Sequence, residues 1–261
     1  MHEVMPKELK IDERRKLVME YIAQNGEAKV SELSEKFNTT GVTIRSDLAA
    51  LEASGYLKRV SGGAVHNVNN FYNINFIQRN QQNAKYKFEV GKTVANLIND
   101  RETIFINSGA TTYYTAIALK KYSHLSIVTN SVAIAVELSS HQGFQVILLG
   151  GQLNTQYAFT YGSDALEQLR RYKADVTILS IDGIHLEAGF STYHPEEALI
   201  DREMISKSRR CIIASDFTKI NHQSFSILSD VPKSATVVTN QCVDPEVLSR
   251  YLNKGFNIIT S

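Results

Sequence analysis

Apolar residues recur at two different periods along the chain, and the change of period divides it. Over residues 12–54 the spacing is helical. Leu17, Val18, Tyr21 and Ile22 make one stripe over residues 12–24, with Asp12 placed to cap its start and Asn25-Gly26 to end it. A second short helix is predicted from Ser31, carrying Leu33 and Phe37 and stopping at Asn38. A third covers residues 40–54, with Ile44, Leu48 and Leu51 as its inner face and Gly55 as the residue that ends it. Alternation takes over at Tyr56-Leu57-Lys58-Arg59-Val60, turns at Ser61-Gly62-Gly63 and resumes at Ala64-Val65, a small hairpin.

Residues 67–84 are dominated by Asn and Gln, interleaved with Phe71, Tyr72, Ile74, Phe76 and Ile77, and read as a linker whose apolar members dock on something. From residue 85 short β-rich runs alternate with helical stretches. Strands are predicted at 103–107, 126–130, 145–149, 175–181, 211–215, 236–239 and 257–259. Helices are predicted at 112–121, 131–140, 164–172, 195–208 and 245–254. That alternation predicts a mostly parallel open α/β sheet covered on both faces. The expected division is therefore a helical domain at 1–66, a linker at 67–84 and an α/β domain at 85–261.

Composition narrows the class of protein. With 261 residues, 43% hydrophobic and 21% charged, the chain has enough apolar material for real cores, which excludes wholesale disorder. No apolar run approaches the ~18–20 residues that span a bilayer. Residues 1–16 are charged and lack the apolar stretch of a secretory leader. Cys211 and Cys242 are too few for a disulfide framework or a zinc array. The expectation is a cytoplasmic protein with no membrane partner, no metal and no cofactor. Net charge is only +1, and acids and bases balance within the first 66 residues, so any nucleic-acid reading rests on where charges sit.

Helix, short turn, helix and a Gly-Gly hairpin is the plan of a winged helix-turn-helix. With Ile44, Leu48 and Leu51 turned inward, Thr43, Arg45 and Ser46 project from the half of the third helix that meets base edges in the major groove. Arg45 suits a bidentate pair to guanine; Ser31, Thr40, Thr43 and Ser46 suit phosphates or bases. Lys58 and Arg59 on the wing suit the flanking backbone or minor groove. The same cations also fit the ordinary solvated surface of a small helical domain.

Asp12-Glu13-Arg14-Arg15, Val30-Ser31-Glu32-Leu33, Thr43-Ile44-Arg45-Ser46-Asp47-Leu48, Leu51-Glu52, Gly55, Leu57-Lys58-Arg59 and Gly62-Gly63-Ala64 follow one another in order. In that order and spacing the chain resembles the DeoR family of bacterial sugar-catabolism regulators, over nearly its whole length. The resemblance implies a DNA-binding regulator, a repressor by type, acting on double-stranded operator DNA. Ser46 stands where the family usually has a second arginine, and Ser61 where it often has histidine.

The strongest chemical feature of the second half is Asn107-Ser108-Gly109-Ala110-Thr111-Thr112, between a predicted strand and a helix. Successive backbone amides, hydroxyls and a helix N-terminus favour a phosphate or carboxylate there, and Gly109 permits close backbone approach. No Gly-Lys-Ser/Thr follows, so it is not a Walker loop; a Ser/Thr-rich cap serving only its own helix fits equally. Thr129-Asn130-Ser131, Gly150-Gly151, Asp182-Gly183 and residues 216–219 fall at the carboxyl ends of other predicted strands, where open α/β sheets bind ligands. Asn130 and Asp182 suit sugar hydroxyls; Lys219 suits phosphate, or a pair with Asp182 or Asp216.

These segments, with Ile184 and Gly189, also resemble the family's effector domain, related in fold to ribose-phosphate isomerases and glucosamine-phosphate deaminases. The resemblance implies a phosphorylated sugar or related metabolite at Ser108, Gly109, Ala110, Thr111, Thr112, Asn130, Ser131, Gly150, Gly151, Asp182, Gly183 and Lys219. Asn107 stands where the family commonly has aspartate. Glu197 and Arg202 fit either a pocket lining or a surface ion pair; Arg79 and Lys85 stand where the family often carries Arg and Lys, and the resemblance implies a role in coupling the linker to the pocket. Symmetric half-site reading implies a homo-oligomer, dimer or tetramer. The competing classes are a sugar-phosphate isomerase or deaminase carrying a helical appendage, with Asp182 as base and no clear partner in His185 or Glu187, and an interaction adaptor that does not bind DNA.

Overall fold

The helical stripes of the first half close on one another. The structure, a computed structural model, describes residues 11–53, 57–66, 76–229, 231–232 and 234–261. They fall into two units, Met1–Ile74 and Asn75–Ser261. The first contains α1 (Ile11–Asn25), β1 (Glu27–Lys29), α2 (Val30–Lys36), α3 (Gly41–Ala53), β2 (Leu57–Val60) and β3 (Gly63–His66). Val18, Ile22, Leu33, Ile44, Leu48, Leu51 and Leu57 are its core, so the stripes of α1 and α3 pack inward as their periodicity requires. Asp12 lies inside α1 rather than capping it, and the second helix is Val30–Lys36 rather than 31–38. Gly55 and Tyr56 lie outside the described residues, as do residues 67–75 of the expected linker.

The wing is a three-stranded antiparallel sheet, order β1-β3-β2, rather than a bare hairpin. Gly26 (φ 79°) swings the chain from α1 into β1. At Gly63 a side chain would put its Cβ 2.2 Å from the Ala28 carbonyl oxygen, so only glycine lets the two strands pair.

The second unit contains α4 (Phe76–Gln81), α5 (Ala84–Ala95), β4 (Thr103–Ile106), α6 (Ala110–Leu119), β5 (Leu125–Thr129), α7 (Val132–Leu138) and β6 (Phe144–Leu148). It continues with β7 (Gln152–Asn154), β8 (Phe159–Tyr161), α8 (Ser163–Leu169), β9 (Ala174–Leu179), β10 (Gly183–His185), β11 (Gly189–Thr192) and α9 (Pro195–Ser206). The last elements are β12 (Ser208–Ala214), a 3₁₀ turn at Phe217–Lys219, β13 (Ser226–Leu228), β14 (Thr236–Thr239), α10 (Pro245–Asn253) and β15 (Asn257–Thr260). All seven strands predicted for the sheet are present, parallel throughout, in the order β15-β14-β12-β9-β4-β5-β6.

Successive strand residues point to opposite faces, and two cores result. Ile104, Ile106, Ile127, Val176 and Ile178 pack with Val90, Ala116 and Ile134 of α5, α6 and α7. Phe105, Leu179, Ile213 and Val237 pack with Leu169, Ala198 and Tyr251 of α8, α9 and α10. Two hairpin systems, β7-β8 and β10-β11-β13, were not foreseen; their strands are three or four residues long. Nor were α5 and α4. Residues 76–81, expected as linker, form a helix because Phe76 meets the edge of Tyr113 (5.7 Å) and Arg79 finds a buried acid.

The chain lays β4, β5 and β6 outward in one direction, then returns to β9 on the other side of β4 and builds outward again. Strand order therefore reverses between β4 and β9, which opens a crevice at their carboxyl ends.

Candidate functional site

On the first unit, α3 presents its N-terminal half to solvent. Arg45 and Ser46 are exposed, as are Thr40, Ser31 and the wing residues Lys58 and Arg59, while Thr43 is half-buried. Thr40 also caps α3: its Oγ1 accepts the Thr43 N–H at 3.2 Å and lies 2.9 Å from the Thr43 hydroxyl. Arg59 donates Nε to Glu52 at 2.7 Å and its backbone N–H to the same carboxylate at 2.8 Å, which fixes the root of the wing against α3. Val42, 74% exposed, was missed; a large apolar side chain left in water on this face suits the methyl of thymine.

Behind that face lies Asp47, 1% exposed. Arg14 donates Nε at 2.6 Å to one of its oxygens and Arg15 donates Nε at 3.0 Å to the other, so α1 grips α3 through a buried carboxylate.

In the second unit the loop between β4 and α6 is held by two amides. Asn107 accepts the Ser180 N–H at 2.8 Å and donates to the Ser180 carbonyl at 3.0 Å and to Asp201 at 2.9 Å. Asn130 accepts the Ser108 N–H at 3.0 Å and donates to the Thr160 carbonyl at 3.2 Å. Both are fully buried, and both ends of each amide are engaged by the protein. Thr112 donates to the carbonyls of Asn107 and Gly109, and Ser131 caps α7 by accepting the Ile134 N–H. The Gly150 N–H donates to Gln168; Gly151 and Gly183 sit where a Cβ would fall 2.5 Å from the Tyr161 oxygen and 2.6 Å from the His222 oxygen.

The residues that meet in the crevice are Ser108, Gly109, Ala110 and Asp182, together with Arg79, Tyr157, Thr192 and Glu197. Thr111, Thr112, Asn130, Ser131, Gly150, Gly151, Gly183 and Lys219 do not line it, although Lys219 lies 3.8 Å from Asp182. The amides of Ala110, Thr111 and Thr112 open α6 ahead of its first internal bond, Tyr113 N–H to the Gly109 oxygen at 2.9 Å. Arg202 instead donates to the Ile227 carbonyl at 2.7 Å.

Charge is tightly balanced here. Burial by itself would raise the Asp182 carboxyl, but the Arg79 guanidinium at 2.9 Å and the Lys219 ammonium hold it down at about 2, helped by the Tyr193 N–H and the Thr192 hydroxyl. Glu197 goes the other way, raised by burial and then by the neighbouring carboxylates Asp201 and Asp182. Thr192 Oγ1 stands 3.3 Å from both Asp182 and Glu197 yet has one proton. The Thr192 hydroxyl is donor to both carboxyl groups and so links Asp182 to Glu197 through one shared proton. Asp201, also raised by burial, spends one oxygen on Asn107, and the other has no hydrogen-bond partner among the described residues.

Arg79 entered the sequence reading only as a coupling candidate, and Glu197 as a pocket residue or a surface pair. Arg79 is separated from Asp182 by 103 positions, so no local pattern signals their meeting. The other candidate catalytic partners are absent from the crevice: His185 accepts two backbone N–H groups in its own hairpin turn, and Glu187 pairs with Lys254. Among the described residues no group of acids, His and Cys is arranged to hold a metal, and no helix is long and apolar enough to cross a membrane.

A winged helix-turn-helix with an open recognition face, and an α/β unit with a charged crevice at its strand reversal, define a DNA-binding protein with a sensor. Residues 14–69 match the DeoR-like helix-turn-helix domain and residues 82–241 match the DeoR C-terminal sensor domain. The chain belongs to the DeoR family; it is a transcriptional regulator rather than an enzyme. Among its relatives, a putative aga operon transcriptional repressor of Escherichia coli O157:H7 is 28% identical, over 95% of this chain and 93% of its own. The uncharacterized HTH-type regulator YulB of Bacillus subtilis is 30% identical over 90% and 91%. The glycerol-3-phosphate regulon repressor of Escherichia coli K12 is 28% identical over 89% and 92%. A ribose 5-phosphate isomerase A from Methanocaldococcus jannaschii aligns with a TM-score of 0.40 at 12% identity, over 53% of this chain and 55% of its own.

Proposed function

We propose that the chain is a cytoplasmic repressor of carbohydrate-catabolism genes that binds operator DNA as a homo-oligomer and is modulated by a phosphorylated sugar. Support for the sugar comes from one observation: the open N-terminus of α6 faces a crevice that also holds Arg79, Asp182 and Glu197. A phosphate suits the helix amides and a cation, and sugar hydroxyls suit the carboxylates and Ser108. A relative named for the glycerol-3-phosphate regulon is named for a small phosphate ester. A panel of pentose and hexose monophosphates beside their unphosphorylated parents tests this by thermal shift. A ligand at 100 times its Kd adds about 2.7 kcal/mol of stability, so one ester should raise Tm while its parent does not. No shift with any ester rejects the sugar-phosphate reading.

The DNA half of the proposal assigns base reading to Arg45 and Val42, with Ser31, Thr40, Thr43, Ser46, Lys58 and Arg59 positioned for phosphates. Arg45→Ala should cost about 1–3 kcal/mol on a duplex selected from a random pool by the wild-type chain, and should relax preference at one base pair. If fluorescence anisotropy shows the variant binding the selected duplex as tightly as wild type, and discriminating it from a scrambled duplex by the same factor, Arg45 is not on the reading surface.

A further inference from the structure

Arg79 fills the crevice that the effector is proposed to enter. Its guanidinium meets Asp182 at 2.9 Å and lies 5.2 Å from the centre of the Tyr157 ring. The void that remains is about 10 Å³, room for about one water and far short of a sugar phosphate. Something has to move before a ligand of that size binds.

Most of the walls are not free to give. Ser108 and Gly109 belong to the loop that Asn107 and Asn130 tie to β9 and β8, and Thr192 sits within the β10-β11-β13 sheet. Arg79 is different. It stands on α4, a helix of six residues, none of whose described side chains belongs to either sheet core. Phe76 anchors the start of α4, meeting the edge of Tyr113 (5.7 Å) and donating its N–H to the Gln156 carbonyl (3.0 Å). Beyond it, exchangeable contacts help to hold the helix: the buried Lys87 ammonium donates to the carbonyls of Arg79 (2.5 Å) and Gln82 (2.6 Å), and the Tyr114 hydroxyl donates to the Asn80 carbonyl (3.0 Å).

Resting on the effector reading of the crevice, we propose that Arg79 is the residue that couples ligand to output. An anionic effector takes the guanidinium from Asp182, a sugar hydroxyl takes its place on the carboxylate, and α4 shifts with Arg79. Asp182 does not become an uncompensated buried charge, because Lys219 at 3.8 Å and the Tyr193 N–H at 3.0 Å stay beside it. That lowers the cost of an exchange which would otherwise be prohibitive for a buried ion pair. The second unit begins at Asn75, so α4 is its first helix and is joined through the preceding chain to the DNA-binding unit. A displacement of α4 is therefore felt first by that connection. The ligand acts by differential affinity for the paired and exchanged states, and couplings of this kind change DNA affinity roughly 5–150-fold.

The test uses full-length wild type and Arg79→Gln, which keeps length and polarity but loses the charge. Without ligand, amide hydrogen exchange across residues 76–83 should quicken about tenfold or more in the variant, while β4 and β9 exchange at the wild-type rate. With the panel ester that raises Tm, added to saturate each protein, wild type should change its affinity for the selected duplex and its exchange at 76–83. Arg79→Gln should bind that duplex with an affinity the ester no longer alters. A variant that responds to the ester by the wild-type factor overturns the coupling role and leaves the sugar-phosphate reading standing. If no ester binds wild type, that reading fails, and the ligand-free arm still decides: equal exchange at 76–83 in both proteins overturns the role of Arg79. Should Arg79→Gln not melt cooperatively, Arg79→Met, which keeps an unbranched side chain and loses the charge, takes the same arms with the same expected outcomes.

Discussion

Asp47→Ala should unfold the DNA-binding unit at a temperature where the sensor unit is still intact, and should abolish binding to any operator duplex. The reason lies in the two arginines whose shared carboxylate it removes. Arg14 is 13% exposed and Arg15 31%, and both send Nε to a carboxylate that is itself buried between α1 and α3. Removing one partner of a buried ion pair costs about 3–5 kcal/mol, and Arg15's remaining exposure places this site near the lower end. A core as small as Val18, Ile22, Leu33, Ile44, Leu48, Leu51 and Leu57 has little stability to spare, since units of this size are marginal. Circular dichroism melts should split into two transitions, with the helical one displaced downward. Arg45→Ala is the control: it removes a charge from the exposed side of the same helix and should leave that transition in place. An Asp47→Ala chain that melts as wild type would show the pair to be a surface accessory rather than the joint between α1 and α3.

The contrast between Asp47 and Arg45 also marks where the sequence was readable. Both belong to the run Thr43-Ile44-Arg45-Ser46-Asp47-Leu48, and helical spacing alone tells which of Ile44, Arg45 and Leu48 face inward. Spacing does place Asp47 on the inner side, next to Leu48, but an acid there makes sense only once Arg14 and Arg15 arrive from α1. The seven sheet strands were legible for a related reason. Strands buried on both faces, such as Thr103–Ile106 and Thr236–Thr239, become nearly continuous β-branched runs. Helix α5 hid itself. Its inward stripe includes Lys87 and Gly91, which look like a solvated charge and a helix breaker. In the structure Lys87 is buried to hold the end of α4, and a Cβ at Gly91 would lie 2.7 Å from the Tyr114 backbone, so the glycine lets α5 lie against α6.

The crevice was legible as a place more than as a set of contacts. Strand-end loops rich in Ser, Thr, Asn, Asp and Gly were correctly expected at the carboxyl edge of the sheet, because alternating strands and helices fix that edge. Which of those side chains face a ligand depends on partners far away in the chain. An asparagine at a strand end can read a hydroxyl or tie down the main chain; Asn107 does the second with Ser180 and Asp201, and Asn130 with Ser108 and Thr160. Arg79 and Glu197 reach the same crevice from elements that no strand-end rule selects.

Gly109→Ala should close the crevice to its ligand while leaving DNA binding by the first unit intact. The backbone of Gly109 is extended, so glycine is not there for its torsional freedom. It is there for proximity: a Cβ would lie 2.4 Å from Ser180 Cβ and 2.8 Å from Ser180 Oγ. Ser180 cannot yield by rotating, because the nearer atom is set by a backbone whose N–H and carbonyl are both bonded to Asn107. The added methyl therefore has to part the ends of β4 and β9, at the point where strand order reverses and Ser108, Gly109 and Ala110 line the crevice. Overpacking of this kind costs about 1–3 kcal/mol, and at ~2–4 °C per kcal/mol for a unit of this size the sensor transition should fall by several degrees. The Tm shift produced by the panel ester should vanish with it. The second substitution that makes this decisive is Ser180→Gly, which removes the atom that the methyl strikes. Gly109→Ala combined with Ser180→Gly should recover both the melting temperature and the ester response beyond what the single changes predict by addition. Strict additivity of the two would mean that the methyl acts somewhere other than Ser180, and that the close approach of β4 to β9 does not shape the crevice.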